Sequence, residues 1–180
     1  AWPALAMTAA ALLAGPALAQ QHVERPFRIL VTNDDGIDSE GITALVQALR
    51  PFAEVVVSAP SRNFSGGSQS VTLVDGKLRV TSRERAPGVS GHSVQGTPAD
   101  SVLFGLIELG KARPFDLVIS GINKGENVGD AIPVSGTVGA ARQAAMLGVP
   151  AIAVSQQHER GGNYDFGTAA RFTARLAREM

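Results

Sequence analysis

The pattern of apolar and polar residues between positions 27 and 59 predicts a strand, a helix and a second strand. An apolar, partly β-branched run from Phe27 through Val31 is typical of a buried strand. Apolar residues between Ile42 and Leu49 recur at the i, i+3, i+4, i+7 spacing, which predicts a helix over residues 39–50 that Pro51 ends. A run of valines forms the centre of a second strand over residues 54–59. This order is the signature of a parallel βαβ unit.

The rest of the chain continues this alternation and predicts a single α/β domain over residues 27–180. Further buried strands are expected at 115–121 and 150–155, and further helices at 97–109, 135–148 and 165–178. Three short alternating segments, 70–74, 78–82 and 89–95, are typical of antiparallel strands inserted into the main sheet or lying beside it.

Residues 1–21 differ in character from the rest of the chain. Ala4 to Ala19 is almost wholly apolar, and Ala17-Leu18-Ala19 matches a signal-peptidase site with cleavage before Gln20. The run is too short and too rich in alanine for a membrane span, and no basic residue precedes it. We therefore expect residues 1–19 to be a signal peptide that directs export to the periplasm or outside the cell. The alternatives are a buried or interfacial helix and a cytoplasmic location.

Composition and charge narrow the classes of function. The 180 residues, 44% of them hydrophobic and 18% charged, are typical of a globular protein. The formal net charge is zero and no basic stripe is present, which argues against binding to a nucleic-acid polymer. The absence of cysteine excludes disulfides and thiolate metal ligands, and His22, His92 and His158 are not spaced as in zinc sites.

The residues that follow three of the predicted strands are oxygen donors. Asp34 and Asp35 follow the first strand, Ser65 lies in the loop after the second, and Asn123 follows the strand at 115–121. Because ligands bind at the carboxyl ends of parallel strands, we expect these side chains to meet. Two carboxylates, a hydroxyl and an amide favour magnesium, manganese or calcium over zinc. Taken singly, each segment is also compatible with an ordinary turn or a solvated loop.

Ser135-Gly136-Thr137 begins the predicted helix at 135–148. A helix start offers free N–H groups and positive potential to a phosphate, and two hydroxyls would add to it, although every helix needs an N-cap. Asp100, by contrast, is interpreted as a capping charge beside the N-cap Thr97 rather than as a catalyst. A hard cation next to an anion-binding helix start is suited to hydrolysis of phosphate esters.

Several of these segments together resemble the survival protein SurE family, in the family's order from about Phe27 to Ser155. The segments are Arg28-Ile-Leu-Val-Thr-Asn-Asp-Asp-Gly36, Ala59-Pro-Ser-Arg-Asn-Phe-Ser-Gly66, Gly96-Thr-Pro-Ala-Asp100, Ser120-Gly-Ile-Asn-Lys-Gly-Glu-Asn-Val-Gly-Asp130 and Ser135-Gly-Thr-Val138. The resemblance implies a Rossmann-like, three-layer α/β core with a mostly parallel sheet. It also implies a metal-dependent 5′- or 3′-nucleotidase that releases phosphate from nucleoside monophosphates, with short polyphosphate as a further substrate.

The resemblance also implies residue roles. Its metal ligands fall on Asp34, Asp35, Ser65 and Asn123, and its phosphate contacts on the Ser135 to Thr137 segment. The predicted catalytic residues are Asp34, Asp35 and Asn123. Members of the family form homodimers or homotetramers, are commonly cytoplasmic and continue beyond a helix like that at 165–178, so we expect this chain to be incomplete at its C-terminus.

Attack on the phosphate remains open between a metal-activated water and Asp35 acting as base or nucleophile. A receiver-type signalling domain is rejected because the strand at 115–121 ends in Asn123 rather than in a phospho-accepting aspartate. A dinucleotide-binding oxidoreductase is rejected because no G-x-G-x-x-G follows the first strand. An exported, non-catalytic protein that binds metal and nucleotide remains the alternative function.

Overall fold

The structure is a computed structural model that describes residues 25–72, 77–158 and 163–180. Within them the strands are β1 Arg28–Thr32, β2 Glu54–Pro60, β3 Val80–Ala86, β4 Val89–Val94, β5 Leu117–Lys124 and β6 Ala151–Gln156. The α-helices are α1 Glu40–Leu49, α2 Pro98–Phe104, α3 Gly136–Met146 and α4 Phe166–Arg178. A π-helical turn, Gly105–Leu109, continues α2, and a 3₁₀ turn, Gly129–Ala131, precedes α3.

The strands form one six-stranded sheet in the order β3-β4-β2-β1-β5-β6. β1 lies inside the sheet, where Leu30 is paired in parallel with Val56 of β2 and with Val118 of β5. β4 and β6 extend the parallel sheet outward, and only β3 runs antiparallel to its neighbour. The mostly parallel sheet predicted from the sequence is therefore confirmed. The chain changes direction of winding at β1, which makes the end of β1 the expected ligand position.

Helices cover both faces of the sheet, because successive side chains of a strand point to opposite faces. Ile29 and Val31 are fully buried in a core shared with α1 and α4. Leu30 is fully buried on the other face, together with Val102 of α2 and Ala140 of α3. The predicted three-layer α/β architecture is confirmed, and its two cores fix the height at which β1 delivers the residues that follow it.

Capping side chains set the starts of the helices. The Ser39 hydroxyl accepts the Ile42 N–H at 3.3 Å and begins α1. At α2, the Thr97 hydroxyl accepts the Asp100 N–H at 3.1 Å while the Asp100 carboxylate accepts the Thr97 N–H at 2.9 Å. This reciprocal pair is a capping box. The interpretation of Asp100 as a capping charge is therefore confirmed. Asp100 also accepts the backbone N–H of Thr72 at 3.0 Å.

The short strands predicted around residues 70–95 need correction. Residues 70–72 form no strand, because the Ser70 carbonyl accepts the Thr97 hydroxyl and the Thr72 N–H binds Asp100 instead of a ladder; residues 73–76 lie outside the described part. The strand expected at 78–82 is β3, which begins and ends later. The strand expected at 89–95 is β4, which is antiparallel to β3 as predicted but parallel to β2.

The predicted leader, residues 1–19, lies outside the described residues and stays a prediction. Among the helices of the described ranges, none combines the length and the apolar character that crossing a membrane requires.

Candidate active site

A tight turn after β1 presents the two candidate carboxylates. Asn33 is fully buried and holds the turn by accepting the Gly36 N–H at 3.1 Å and donating its amide to the Ser39 hydroxyl at 2.8 Å. Gly36 has a φ of 104°, which a residue with a Cβ rarely adopts. Asn33 and Gly36 thus hold the turn, and Asp34 and Asp35 lie between them.

Asp34 lies against the start of α3. Its side chain is buried, and its Oδ1 accepts the Thr137 hydroxyl at 2.6 Å. A Cβ placed on Gly136 would stand only 2.7 Å from the Cβ of Asp34, so a glycine is needed for this approach. The Asp34 carbonyl also accepts the Phe64 N–H at 2.7 Å, which ties the turn to the loop after β2. Contacts from two other parts of the chain therefore fix the position of Asp34.

Asp35 points in a different direction, toward β5 and the loop after β2. Its Oδ2 accepts the Lys124 backbone N–H at 3.0 Å, and its Oδ1 lies 3.4 Å from the amide nitrogen of Asn63. Burial raises the pKa of the Asp35 carboxyl above its usual value; the Lys124 N–H opposes that rise, and the Asp34 carboxylate adds to it. A bound cation would offset both the cost of burying the Asp35 carboxylate and its repulsion by Asp34.

Hydrogen bonds link Ser65, through Asn63, and the residue after Asn123 to Asp35. The Ser65 N–H donates to Asn63 Oδ1 at 2.8 Å, and Asn63 in turn contacts Asp35. Asn123 is buried on β5, directly before the lysine that donates to Asp35. Its amide nitrogen donates to the Gly125 carbonyl at 2.8 Å, which leaves its oxygen as the group able to accept or to coordinate.

The start of α3 supplies the candidate anion site, where one of the two hydroxyls, that of Thr137, already donates to Asp34. The Ser135 hydroxyl accepts the Val138 N–H at 3.2 Å as an ordinary N-cap, and the Thr137 hydroxyl is bonded to Asp34. The backbone N–H groups of Gly136 and Thr137 lie in the first turn, where no intrahelical acceptor exists. The donors left for an anion in this segment are therefore the backbone N–H groups and the O–H of Ser135, which only accepts in its bond to Val138.

The loop carrying Ser65 is fastened to α3. The Ser68 N–H donates to the Val134 carbonyl at 3.0 Å, and the Ser68 hydroxyl donates to the Pro133 carbonyl at 2.8 Å. A Cβ on Gly139 would lie 2.2 Å from the Ser68 carbonyl oxygen, so helix and loop are in direct backbone contact. The hydroxyl of Ser65 and the N–H groups of α3 consequently belong to one packed unit.

Comparison with known proteins places this arrangement in a family. The model of the family described as survival protein SurE matches residues 29–180. The chain belongs to the SurE family. That match contains β1, the loop after β2, β5 and α3, and the resemblance drawn from the sequence motifs is confirmed.

Relatives in the SurE family carry a functional name. The chain is 49% identical over 158 residues to the 5′-nucleotidase SurE of Vibrio campbellii, covering 88% of this chain and 58% of that relative. It is 48% identical over 155 residues to the 5′-nucleotidase SurE of Vibrio parahaemolyticus, covering 86% and 57%. The chain thus spans somewhat more than half the length of the curated relatives that it matches.

A solved SurE structure has the same fold. The crystal structure of the SurE protein from Aquifex aeolicus superposes with a TM-score of 0.73 at 37% identity. The match covers 84% of this chain and 59% of the Aquifex chain. The α/β architecture with one antiparallel strand pair is therefore shared with an experimentally determined SurE protein.

Sequence reasoning missed two residues that the structure brings to Asp35. Asn63 bridges Asp35 and Ser65, and Lys124 donates its backbone N–H to Asp35. The signal for Asn63 is its place two residues before Ser65, where an asparagine side chain readily bonds the backbone two positions on. A backbone donor such as that of Lys124 leaves no signal in side-chain identity.

Proposed function

We propose that this chain carries the active site of a metal-dependent phosphomonoesterase that converts nucleoside 5′- or 3′-monophosphates into nucleoside and phosphate, with short polyphosphate as a further substrate. The observation that carries the proposal is the contact between Asp34 and the start of α3. A carboxylate suited to a cation is there hydrogen-bonded to Thr137, beside two N–H groups suited to a phosphate. The name of the Vibrio relatives points to the same chemistry.

The donor set fits a hard divalent cation. Asp34, Asp35, Ser65 and Asn123 offer carboxylate, hydroxyl and amide oxygens, the ligands that Mg²⁺, Mn²⁺ and Ca²⁺ take. Asp34 is 3% exposed, yet within the described ranges no side-chain nitrogen of arginine, lysine or histidine lies within 4.0 Å of the Asp34 or Asp35 carboxylate. A buried carboxylate without a cationic partner is costly, and a bound cation would compensate it.

The residues of the chain would share the work as follows. A divalent cation bound there supplies positive charge to the phosphoryl oxygens and makes water more acidic. The N–H groups of Gly136 and Thr137 hold phosphoryl oxygens at the start of α3. The Thr137 hydroxyl fixes the orientation of Asp34, and the Lys124 N–H fixes that of Asp35. Whether Asp35 orients a water or attacks the phosphorus itself is left open.

Phosphate release from a panel of 5′- and 3′-nucleoside monophosphates tests this proposal. The assay is run with manganese, with magnesium and with a chelator. We expect release that depends on the metal and stops with chelator. Metal binding and nucleotide binding without any release would overturn the proposal and favour the non-catalytic binding protein. Release that persists in chelator would overturn the metal site.

The assembly and the location of the protein are part of the same proposal. We propose a homodimer or homotetramer, as in the SurE family, and export through the leader at residues 1–19. Light scattering after size-exclusion chromatography measures the first. Fractionation of cells that express the chain, with detection of cleavage before Gln20, measures the second.

A further inference from the structure

A polar cleft opens beside Asp35. Its volume is about 330 Å³, and its walls are Asp35, Asn63, Lys124, Phe166 and the start of α1 at Asp38–Gly41. It shares Asp35 with the candidate metal set and shares no residue with the Ser135 to Thr137 segment. A substrate whose phosphate lies at α3 would therefore place its remaining part toward this cleft.

The charges of the cleft favour an uncharged, hydroxyl-rich group. Asp38 and Glu40 are exposed at the rim. Asp38 is paired with Arg83, which does not line the cleft, and this leaves the carboxylates of Asp35 and Glu40 against the ammonium of Lys124. Carboxylates accept hydrogen bonds from sugar hydroxyls and repel a second phosphate. Phe166 is 8% exposed and adds an apolar wall. The combination fits a nucleoside better than it fits another phosphoryl group.

Both the backbone and the side-chain ammonium of Lys124 are held in place at the cleft. Its backbone N–H donates to Asp35 at 3.0 Å, and its ammonium lies 5.3 Å from the centre of the Tyr164 ring, a cation–π distance. Tyr164 in turn stacks on Phe166, with ring centres 5.5 Å apart and planes 7° from parallel. The ammonium is thus positioned by an aromatic pair whose second ring lines the cleft, and it remains exposed to a ligand.

We propose that this cleft binds the nucleoside part of the substrate and that Lys124 determines specificity by donating a hydrogen bond to the sugar or the base. The inference rests on the proposed phosphomonoesterase function for the position of the phosphate. It narrows the substrates to monophosphate esters of nucleosides and makes polyphosphate the poorer one.

The test measures adenosine binding by titration calorimetry and, separately, the ratio of kcat/KM for 5′-AMP to that for phenyl phosphate, which lacks a nucleoside. Lys124→Met should weaken adenosine binding about tenfold and lower the ratio about tenfold, since one charge-assisted hydrogen bond is lost. Lys124→Arg should restore most of both. Lys111→Met removes an exposed lysine that does not line the cleft, and it should change neither quantity.

The two readouts separate this inference from the proposed function. Adenosine that binds Lys124→Met as tightly as the wild-type chain, or that binds neither, overturns the inference even where 5′-AMP is hydrolysed. Adenosine binding that depends on Lys124 supports it even where no phosphate is released, in which case only the phosphomonoesterase proposal fails.

Discussion

Charged residues lie at both ends of the sheet, but the groups that they bond to differ. At the amino ends, Arg28 donates to Glu54 at 2.8 Å, Arg113 pairs with the same carboxylate, and Asp116 accepts from the Arg25 side chain and the Arg28 backbone. Burial, and then Arg25, lowers the pKa of Arg28, while Asp116 opposes that shift. At the carboxyl ends, Asp34 and Asp35 meet hydroxyl and N–H donors only.

This difference indicates which charges serve the fold and which serve a ligand. Charges at the amino ends are paired with one another, although the buried Nε of Arg113 has no hydrogen-bond partner within the described part of the chain. At the carboxyl ends, the buried Asp34 carboxylate has no cationic side chain within 4.0 Å among the described residues, at a cost to the stability of the protein.

Removal of one carboxylate at the carboxyl ends should have the largest effect. Asp34→Asn should lower phosphate release more than about a hundredfold, because even partners behind a metal ligand contribute 10- to 100-fold. The thermal unfolding temperature without metal should stay equal to or above that of the wild-type chain, since a buried charge is removed. Phosphate assays and calorimetry measure the two quantities. Near-normal release would exclude Asp34 from the site.

The next effect in size should come from Thr137→Val, which keeps the shape of the side chain and removes the hydroxyl bonded to Asp34. We expect manganese affinity to fall about 10- to 100-fold, with a matching loss of phosphate release at limiting metal. Saturating metal should recover most of the rate. Thr168→Val in α4 is the matched control, and a metal affinity that is unchanged in Thr137→Val would contradict the assigned orientation of Asp34.

At the amino ends, Glu54→Gln should affect stability and leave catalysis alone. The carboxylate is partly exposed and pairs with two arginines, so its loss should cost about 1–3 kcal/mol of unfolding free energy. Urea unfolding measures this change, and Glu108→Gln at an exposed position serves as control. A fall in kcat with no change in stability would contradict the division between the two ends.

The smallest effect should come from His92 of β4, which lies between the two ends of the sheet. Its imidazole ring is partly buried, which favours the neutral form. Desolvation lowers its pKa, and its Nδ1 lies 2.8 Å from the Ser82 hydroxyl. The unfolded chain therefore takes up the proton first, and the folded state loses stability as pH falls through about 6.5 toward the lowered pKa. His92→Gln should remove this part of the pH dependence between pH 7.5 and 5, measured by urea unfolding. An identical pH profile in both proteins would show that His92 does not contribute.

Local patterns predicted the central part of the fold because there one signal dominates. The 3.6-residue period of α1 and the apolar runs of β1, β2 and β5 are strong. Asp34 and Asp35 lie just after β1 as predicted, whereas Asn123 lies inside β5, which runs on to Lys124. β3 was placed too early because its exposed Thr81-Ser-Arg-Glu-Arg85 segment has no apolar signal and becomes a strand only by pairing with β4.

Predictions within the site were less complete where partners are distant in sequence. Nothing near Thr137 indicates that its hydroxyl binds a carboxylate 103 positions earlier rather than a phosphate. Similarly, the Thr72 N–H donates to Asp100, 28 positions later, and is therefore not available to pair with a neighbouring strand. Such bonds depend on how whole elements pack, which a window of neighbouring residues does not contain.

The backbone contact between Ser68 and Gly139 has a consequence for how tightly a ligand can bind. The loop that carries Ser65 is already held against α3 in the folded protein. Its conformational entropy is therefore lost during folding, and ordering the loop does not reduce the free energy of ligand binding. A larger side chain at position 139 would remove no group proposed to contact the ligand. It would nevertheless reduce the fraction of molecules in which the loop is correctly placed to bind. Apparent affinity would then fall in proportion to that fraction, with the intrinsic affinity unchanged.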